Sequence, residues 1–398
     1  MSPLSDRADD ERDAQAVLTI DLDALGANWR SLAARAAPAE CAAAVKADAY
    51  GIGIAAAVPA LARAGCLTFF VAHASEGRRA RAALDESGLG ARIFVLNGFH
   101  PESAGFDLYR AHGLDAVLGS AEELRAWSDA RASTGDGRLP DAALHVDTGM
   151  NRLGFPVEDA RFISQLELQE AGISLVMSHL VSAELLDDPI NARQIAAFEH
   201  ARERALRNLP ASLANSSGIF LPGRPMHDLV RPGYALYGGN PTPGRPNPMM
   251  PVVKLDARVL QLRTVPAGAS AGYNARWTAE RPSRLATLAL GYADGVPIGG
   301  SGIGGRGAEV FVGGIPCPLV GRISMDLSIA DVTHLPMGAL QAGDMVEWLG
   351  PHADIDALAA RCGTIGYEIL VNLGRRHQRH YIGNGTGTAD VTVMSPDG

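Results

Sequence analysis

Cysteine is scarce in this chain of 398 residues. No two of the four cysteines stand at a CxxC or other metal-ligand spacing, which argues against a disulfide framework and a cysteine-based metal site. We therefore expect no metal, and we interpret these residues as reduced, mostly buried thiols of a cytoplasmic protein. They are Cys41, Cys66, Cys317 and Cys362.

Basic residues and long apolar runs are also lacking. The formal net charge is -9, which argues against a nucleic acid as the main partner because phosphate backbones need a basic face. No apolar run is long enough to span a membrane, and the polar N-terminal segment lacks the apolar core of a signal peptide. A cytoplasmic location, with no membrane partner, is the expectation.

The chain is rich in alternating strand-like and helix-like segments. From about Ala16 to Tyr237, short apolar runs alternate with stretches of helical spacing, such as 76–86 and 121–133. This alternation predicts a parallel sheet and, over so many repeats, a (β/α)8 barrel, with an open doubly wound sheet as the alternative. The runs that predict strands are 41–45, 67–73, 92–98, 115–119, 142–147 and 173–179.

The pattern changes near Gly238, where a run rich in Gly, Pro and Asn predicts a linker. The β-branched segments that follow predict a mainly antiparallel β domain, interrupted by one helix at 354–363. We expect a disordered N-terminal tail, a barrel, a C-terminal β domain and a flexible tail. Their predicted limits are 1–15, 16–240, 241–385 and 386–398.

Lys46 directly follows the apolar run 41–45. Barrels of this kind place their active sites at the carboxyl ends of the strands. A buried lysine needs either a charged partner or a lowered pKa. A lowered pKa is also what a lysine needs to form a Schiff base with a carbonyl group. On the residues alone, a strand-end lysine that extends its ammonium group into water is an equally good interpretation.

Three other polar clusters invite a functional interpretation. Arg152, in HVDTGMNRLGF, offers a planar fork to a carboxylate or phenolate, although a surface arginine is the commoner case. The segment LANSSGIF, with Asn215 and Ser216, has hydroxyl and N–H groups that suit a phosphate but also occur in ordinary turns. Gly233 and Tyr234, in LVRPGYALYGGNP, offer backbone N–H groups in the loop near strand eight, a usual phosphate position in such barrels.

Together these segments resemble the alanine racemases. AAVKADAYGIG is similar to their cofactor-lysine signature, and HVDTGMNRLGF to their DTGMxRLG segment. MSHLVSAE, LANSSGIF, LVRPGYALYGGNP, AGYNARWTA, GYADGVP, VGRISMDLSIADV and TIGYEILVNLGRR follow in the family's order, roughly from Leu18 to Tyr381. The resemblance implies pyridoxal 5′-phosphate (PLP) as cofactor, a homodimer with shared active sites, and interconversion of L-alanine and D-alanine.

The resemblance also implies catalytic and substrate-binding roles. Lys46 carries the cofactor and serves as the acid/base on the D face of the substrate, and Tyr273 of the partner subunit serves the L face. Two such groups are needed because a single base would return the proton to the side it left. Arg152 contacts the cofactor's phenolic oxygen and the substrate carboxylate, with Met325 beside that carboxylate. Tyr292 helps to form the entrance gate.

The remaining implied residues hold the cofactor. Arg231 faces the pyridine nitrogen, and because a guanidinium cannot accept a proton, the cofactor becomes a weaker electron sink, which suits racemisation. His179 is implied to hydrogen-bond the catalytic tyrosine within the cofactor site. The residues implied around the phosphate are Tyr50, Asn215, Ser216, Gly233, Tyr234 and Tyr367.

Two positions depart from the family pattern. His145 stands where many members carry a carbamylated lysine that positions the arginine. His145 itself, a bound anion or a water must therefore orient Arg152. Ile298 and Gly299 stand where the family often has an arginine, which predicts a less basic entrance.

Other functions remain open on the sequence. A broad-specificity or serine racemase would have the same scaffold. A barrel-type PLP decarboxylase would place a carboxylate opposite the pyridine nitrogen, so Arg231 argues against it. A non-catalytic PLP-binding protein would lack the β domain and the Tyr273 segment. The sequence does not decide between D-alanine supply for peptidoglycan and D-alanine breakdown.

Overall fold

A computed structural model describes residues 14–386, except 101, 103–104 and 135–139, and also the short strand 392–393. The chain divides into two compact units. One is Asp23–Met250, and the other combines Pro251–Asn384 with the segment that ends at Leu22. The predicted tails, 1–15 and 386–398, fall almost wholly outside the described residues.

The first unit is a closed parallel barrel with eight strand positions, as predicted. Seven positions form one continuous parallel sheet, and the eighth, the strand β11 (Leu229–Val230), closes it. On one side of β11, Arg231 N donates to Ala214 O at 2.9 Å; on the other, Ala42 N donates to Val230 O at 2.9 Å. The strands are β2 (Glu40–Cys41) and β3 (Ala43–Ala44), which share one position, then β4 (Thr68–Val71), β5 (Arg92–Val95), β6 (Leu114–Leu118), β7 (Ala142–Asp147), the short β8 (Phe155–Pro156) beside β7, β9 (Ile173–Met177), β10 (Ala211–Ser212) and β11 (Leu229–Val230).

Helices connect these strands. The longest begins at Leu22, directly after the first strand of the chain. The helix Pro189–Ala201 is capped by Asp188, whose carboxylate accepts a hydrogen bond from Ile190 N at 3.0 Å. Such a cap satisfies an N–H group that has no partner inside the helix. The helices are α1 (Leu22–Ala36), α2 (Lys46–Tyr50), α3 (Ile54–Ala64), α4 (Ala74–Glu86), α5 (Phe106–His112), α6 (Ala121–Ala132), α7 (Val157–Phe162), α8 (Gln165–Glu170) and α9 (Pro189–Ala201).

The first strand, β1 (Ala16–Asp21), does not join the barrel, although the predicted barrel began at residue 16. It pairs antiparallel with β12 (Val253–Val265) and parallel with β20 (Gln378–Ile382) in the second unit. The physical reason lies in its pattern, because only alternate residues of β1 are buried, as in a strand with one covered face. All five residues of the barrel strand β6 are buried, which is typical of a parallel strand covered on both faces.

The second unit is mainly antiparallel, as predicted. The strands are β12 (Val253–Val265), β13 (Ser270–Ala271), β14 (Trp277–Thr278), β15 (Ser283–Leu288), β16 (Glu309–Val312), β17 (Ile315–Pro318), β18 (Ser328–Asp331), β19 (Met345–Leu349), β20 (Gln378–Ile382) and β21 (Thr392–Val393). The largest sheet runs in the order β17-β16-β19-β12-β1-β20-β21, and β15 and β18 extend it from β12.

Two α-helices interrupt these strands where one was predicted. They are α10 (Ile355–Cys362), within the predicted range 354–363, and α11 (Gly366–Val371). The left-handed Gly363, with a φ of 70°, ends the first helix. Among the described residues, no helix has the length and apolar character that a bilayer crossing requires. All four cysteines are buried and none forms a disulfide, in agreement with their interpretation as buried thiols.

Candidate active site

Lys46 lies immediately beyond β3, in a turn of unusual backbone geometry. The four residues that follow it, Ala47 to Tyr50, have φ values between 52° and 55° although none is glycine. A left-handed conformation costs an L-residue roughly 1–2 kcal/mol, so the surroundings must hold this turn in place. Gly51 N donates to Ala47 O and Gly53 N to Asp48 O, both at 2.9 Å. The Tyr50 ring stacks on Tyr237 with centroids 4.5 Å apart.

Glu76 secures the start of this turn from the neighbouring strand end. One carboxylate oxygen accepts a hydrogen bond from Ala47 N at 2.7 Å, and the other from Ala72 N at 2.8 Å. Burial lowers the pKa of Lys46, nearby Arg152 lowers it further, and Glu76 opposes both effects. The structure therefore gives Lys46 the lowered pKa that a nucleophilic lysine requires.

Arg231 is the most deeply placed cation at this rim and is only 5 % exposed. One terminal nitrogen donates to Ser178 O at 2.5 Å, and the other donates to the Ser212 hydroxyl. Burial lowers the pKa of Arg231 to about 9, which leaves it charged at neutral pH. Within the described part of the chain, no carboxylate forms an ion pair with this guanidinium. A guanidinium has N–H donors and no acceptor, so its remaining N–H groups can bind only a hydrogen-bond acceptor.

Two histidines lie within electrostatic range of these cations. Burial, followed in magnitude by the charge of Arg231, lowers the pKa of His179 to about 3 and that of His145 to about 4. Lys46 and Arg152 lower the pKa of His179 further. Burial, together with the positive charges of Arg231 and Arg152, therefore keeps both imidazoles neutral at physiological pH, and Asp147 opposes the shift of His145 only in part. The structure thus brings together Lys46, Arg152, His145, His179 and Arg231.

A second group of predicted residues meets beside β11. The Ser216 hydroxyl oxygen accepts hydrogen bonds from Gly233 N at 3.0 Å and from Ala235 N at 3.2 Å. A side chain on Gly233 would place its Cβ 2.3 Å from the Tyr50 hydroxyl oxygen. Glycine therefore keeps the backbone and two hydroxyl groups close together, as an anion-binding cradle requires.

Asn215 and Tyr234 border this cradle. Asn215 donates from its amide to Leu180 O at 3.3 Å and accepts a hydrogen bond from Gly218 N at 2.9 Å. Tyr234 opens the short 3₁₀ helix Tyr234–Tyr237. A Cβ on Gly239 would lie within 2.2 Å of two atoms of the Tyr234 ring, so that glycine also allows a close approach.

Arg152 lies in the loop beyond β7 and is exposed. The Asp147 carboxylate accepts hydrogen bonds from Gly149 N and Met150 N, both at 2.9 Å, and from Asn151 N at 3.0 Å. This carboxylate fixes the backbone that leads to the arginine, which leaves the guanidinium available to an anionic ligand.

The other predicted residues belong to the second unit and are exposed. Tyr273 follows Gly272, which has a φ of 74° and lies against Arg322 N. Tyr292 and Met325 lie on adjoining turns, because Tyr292 N donates to Ser324 O at 3.0 Å and Ala293 N to Met325 O at 2.9 Å. Tyr367 lies near the start of α11. A cavity of about 500 Å³ is lined by Tyr292, Ala293, Gly295, Val296, Pro297, Ile298, Glu368 and Asn372.

Arg376 bridges the Tyr292 and Met325 turns. Its guanidinium lies 2.8 Å from Asp326 Oδ1 and 3.3 Å from Asp294 Oδ1. Asp294 in turn accepts a hydrogen bond from Gly291 N at 2.9 Å. The sequence analysis did not single out Arg376, because in RRHQRH it is one basic residue among several.

Sequence reasoning also missed Glu76, Ser178 and Ser212. Glu76 stands three residues after His73, the spacing of a helix-capping acid, and this was the one local signal of its role. The contacts that Ser178 and Ser212 make with Arg231 join segments far apart in the chain, so no spacing could indicate them.

A closed parallel barrel with a lysine and a buried arginine at the carboxyl ends of its strands, followed by a β domain, defines a two-domain barrel enzyme. The profile described as the alanine racemase N-terminal domain matches residues 20–241, and that of the alanine racemase C-terminal domain matches residues 252–381. The chain belongs to the alanine racemase family, which places it among the isomerases.

Individual relatives agree with this assignment. An alanine racemase of Methylobacterium nodulans is 59% identical, covering 92% of this chain and 95% of its own length. Two proteins of Agrobacterium fabrum, named as catabolic and biosynthetic alanine racemases, are 44% and 43% identical over 94% and 92% of this chain and 94% and 93% of their own. The crystal structure of alanine racemase from Bartonella henselae with covalently bound pyridoxal phosphate has a TM-score of 0.84 and 39% identity, covering 93% of this chain and 100% of that one.

Proposed function

We propose that this chain interconverts L-alanine and D-alanine with PLP as its cofactor. The observation that carries the proposal is the pairing, at one barrel rim, of Lys46 with a buried arginine that has no carboxylate partner among the described residues. A lysine suits attachment of an aldehyde cofactor, and an arginine suits a ring nitrogen that accepts a hydrogen bond.

The residues at the rim fit PLP at both of its ends. In the cradle of Tyr50, Ser216 and Gly233, the two hydroxyl groups would face the phosphate close to the Gly233 backbone, with Asn215 and Tyr234 at its border. A Cβ at Gly233 would fill the cradle, which supports a ligand close to the backbone. Tyr367 is a further proposed phosphate contact, from the second unit.

When bound, PLP supplies the electron withdrawal that makes the Cα–H of an attached amino acid acidic. The chain must then move one proton between the two faces of that carbon. We assign the D face to Lys46, whose lowered pKa favours the neutral amine that can accept a proton. We assign the L face to Tyr273 of the partner subunit, with His179 as its hydrogen-bonding partner.

The remaining residues bind and orient. Arg152 would hold the substrate carboxylate by a bidentate contact, with Met325 beside it and Tyr292 at the entrance. Arg231 donates hydrogen bonds only, so it keeps the ring nitrogen unprotonated and limits side reactions. Neutral His145 occupies the carbamate position and can orient Arg152 without adding charge.

The proposed assembly is a homodimer with shared active sites, located in the cytoplasm. The exposed positions of Tyr273 and Met325 in the second unit support it, because a proton-transfer group must be shielded from bulk water to act on the substrate. The relatives named for biosynthesis and for catabolism have nearly equal identity, so supply and breakdown of D-alanine are both compatible with the proposal.

A direct test measures racemisation of L-alanine, L-serine and L-lysine by the purified protein. We expect alanine to be the preferred substrate, with a visible absorbance band from the cofactor. The chain contains only two lysines, Lys46 and Lys254, so borohydride reduction and peptide mapping should place the cofactor on Lys46 alone. Turnover of serine or lysine without alanine would replace alanine as the substrate, and cofactor on Lys254 would overturn the site.

A further inference from the structure

Gln194 is a buried amide in the middle of α9, only 1 % exposed. Its side-chain oxygen accepts a hydrogen bond from Val181 N at 2.9 Å. Its side-chain nitrogen donates to His179 O at 3.0 Å and to the Thr148 hydroxyl at 3.2 Å. The amide therefore makes three hydrogen bonds. Two go to the backbone on either side of Leu180, next to His179, and one goes to Thr148, at the start of the loop that carries Arg152.

The His179 segment is held on both sides of Leu180. Gln194 binds the backbone of the residue before it and of the residue after it. Leu180 O itself accepts the amide hydrogen of Asn215, whose oxygen binds Gly218 N. The Asn215 side chain thus connects the segment after β9 with the border of the cradle beside β11.

The Arg152 segment is reached through Thr148. The Thr148 hydroxyl lies 2.7 Å from the Ser178 hydroxyl, and Ser178 O accepts a hydrogen bond from Arg231. Thr148 directly follows Asp147, the carboxylate that fixes the backbone before Arg152. The hydrogen bonds of Gln194 therefore link the turns that carry Arg152 and His179, and the Arg231 side chain joins this network at Ser178 O.

We propose that Gln194 is a positioning residue for racemisation, which sets the spacing between the Arg152 turn and the His179 strand end. The inference rests on the proposed function, because it assigns those two residues to the substrate and to the catalytic tyrosine. Gln194 acts through both and touches neither the substrate nor the cofactor. A fully satisfied buried network fixes one geometry, and small misplacements of reacting groups carry large rate penalties.

Replacement by glutamate separates this role from a purely structural one. In Gln194→Glu, one carboxyl oxygen can still accept from Val181 N. The other can donate to His179 O or Thr148 only while the carboxyl group is protonated. Burial raises the pKa of a carboxyl group, so its protonation changes within the pH range of an assay. Gln194→Met keeps the length of the side chain and removes all three hydrogen bonds at every pH.

The matched control is Gln165, an exposed amide on α8 that makes a single hydrogen bond, to Ala205 O at 2.8 Å. We expect Gln194→Glu to raise the KM for alanine on the order of tenfold at alkaline pH, with a smaller effect at acidic pH. Gln194→Met should raise KM equally at all pH values, and Gln165→Glu should leave KM unchanged. The absorbance of the Lys46-bound cofactor should stay as in the wild-type chain.

Thr148→Val breaks the same link from its other end and provides a second route if the Gln194 variants do not fold. It should also raise KM, and its effect should not add to that of Gln194→Met. The inference would be overturned if the KM of Gln194→Glu equalled the wild-type KM at every pH. Additive effects of Thr148→Val and Gln194→Met would also overturn it. Absence of alanine racemisation by the wild-type chain would instead overturn the proposed function, so the two failures are distinguishable.

Discussion

The barrel and the C-terminal unit hold the predicted site residues in different surroundings. On the barrel, Arg231 is 5 % exposed, and several of its neighbours are held by hydrogen bonds within the same unit. On the C-terminal unit, Tyr273 is 67 % exposed and Met325 54 % exposed. Both sets of residues resemble catalytic segments of the same family, so the difference in burial reflects their surroundings and not their importance.

The barrel residues Lys46 and Arg231 are held by contacts within their own unit. The left-handed turn after Lys46 is secured by Glu76, and buried hydrogen bonds hold Arg231. The C-terminal residues lie on turns, which are fixed by contacts such as the Arg376 ion pairs but remain open to solvent. We therefore expect loss of cofactor binding or stability chiefly from substitutions on the barrel, whereas substitution of Tyr273 or Arg376 on the C-terminal unit should leave the cofactor in place.

The largest effect should follow Lys46→Ala, which removes the group that we assign to both cofactor attachment and D-face proton transfer. Racemisation should fall by more than about a thousandfold, since nucleophile and base are lost together. The visible band of the lysine-bound cofactor should disappear as well. Lys254→Ala is the matched control, because Lys254 lies on β12 and pairs with Asp256 at 2.8 Å. It should retain both properties.

Tyr273→Phe should keep the cofactor and lose proton transfer. Racemisation should decrease by about a hundredfold or more, the usual weight of one general acid/base. The two directions must decline together because the products are enantiomers of equal energy. The two enantiomers should differ instead in the exchange of the Cα hydrogen with solvent deuterium. This exchange should persist for D-alanine and vanish for L-alanine. Equal exchange from both enantiomers would contradict the assignment of the two faces.

His145 should make the barrel sensitive to acid. Its folded-state pKa of about 4 lies below that of an unfolded histidine, so the unfolded chain binds the proton more tightly. Stability is then lost as pH falls through the window from about 6.5 to 4. Urea unfolding should show that the wild-type chain loses about 2 kcal/mol more than His145→Gln between pH 7 and pH 5. Equal losses in the two proteins would show that His145 is not buried as described.

The smallest effect should follow Arg376→Gln on the C-terminal unit. This arginine is half-exposed, and exposed ion pairs contribute little free energy. Loosening of the Tyr292 and Met325 turns should raise the KM for alanine by about threefold, with kcat and cofactor absorbance unchanged. The neighbouring Arg375 is exposed and forms no ion pair among the described residues. Arg375→Gln should therefore match the wild-type chain in steady-state kinetics.

The sequence was sufficient for the barrel because its strands are short, mostly apolar runs that are buried on both faces, as in β6. It was insufficient for β1, whose register is decided by distant partners in the second unit. The left-handed turn from Ala47 to Tyr50 was not predictable either, because no glycine stands within it. The motifs indicated Arg231, but the two serine contacts that hold it depend on the closed barrel.

The central claim is that each active site combines Lys46 of one chain with Tyr273 of the partner subunit. Co-expression of a Lys46→Ala chain with a Tyr273→Phe chain tests it most directly. Each mutant homodimer is expected to be inactive, but a mixed dimer would contain one site with both native residues. We expect recovery of about a quarter of wild-type activity when the chains assort at random. No recovery from a mixture shown to contain mixed dimers would contradict it.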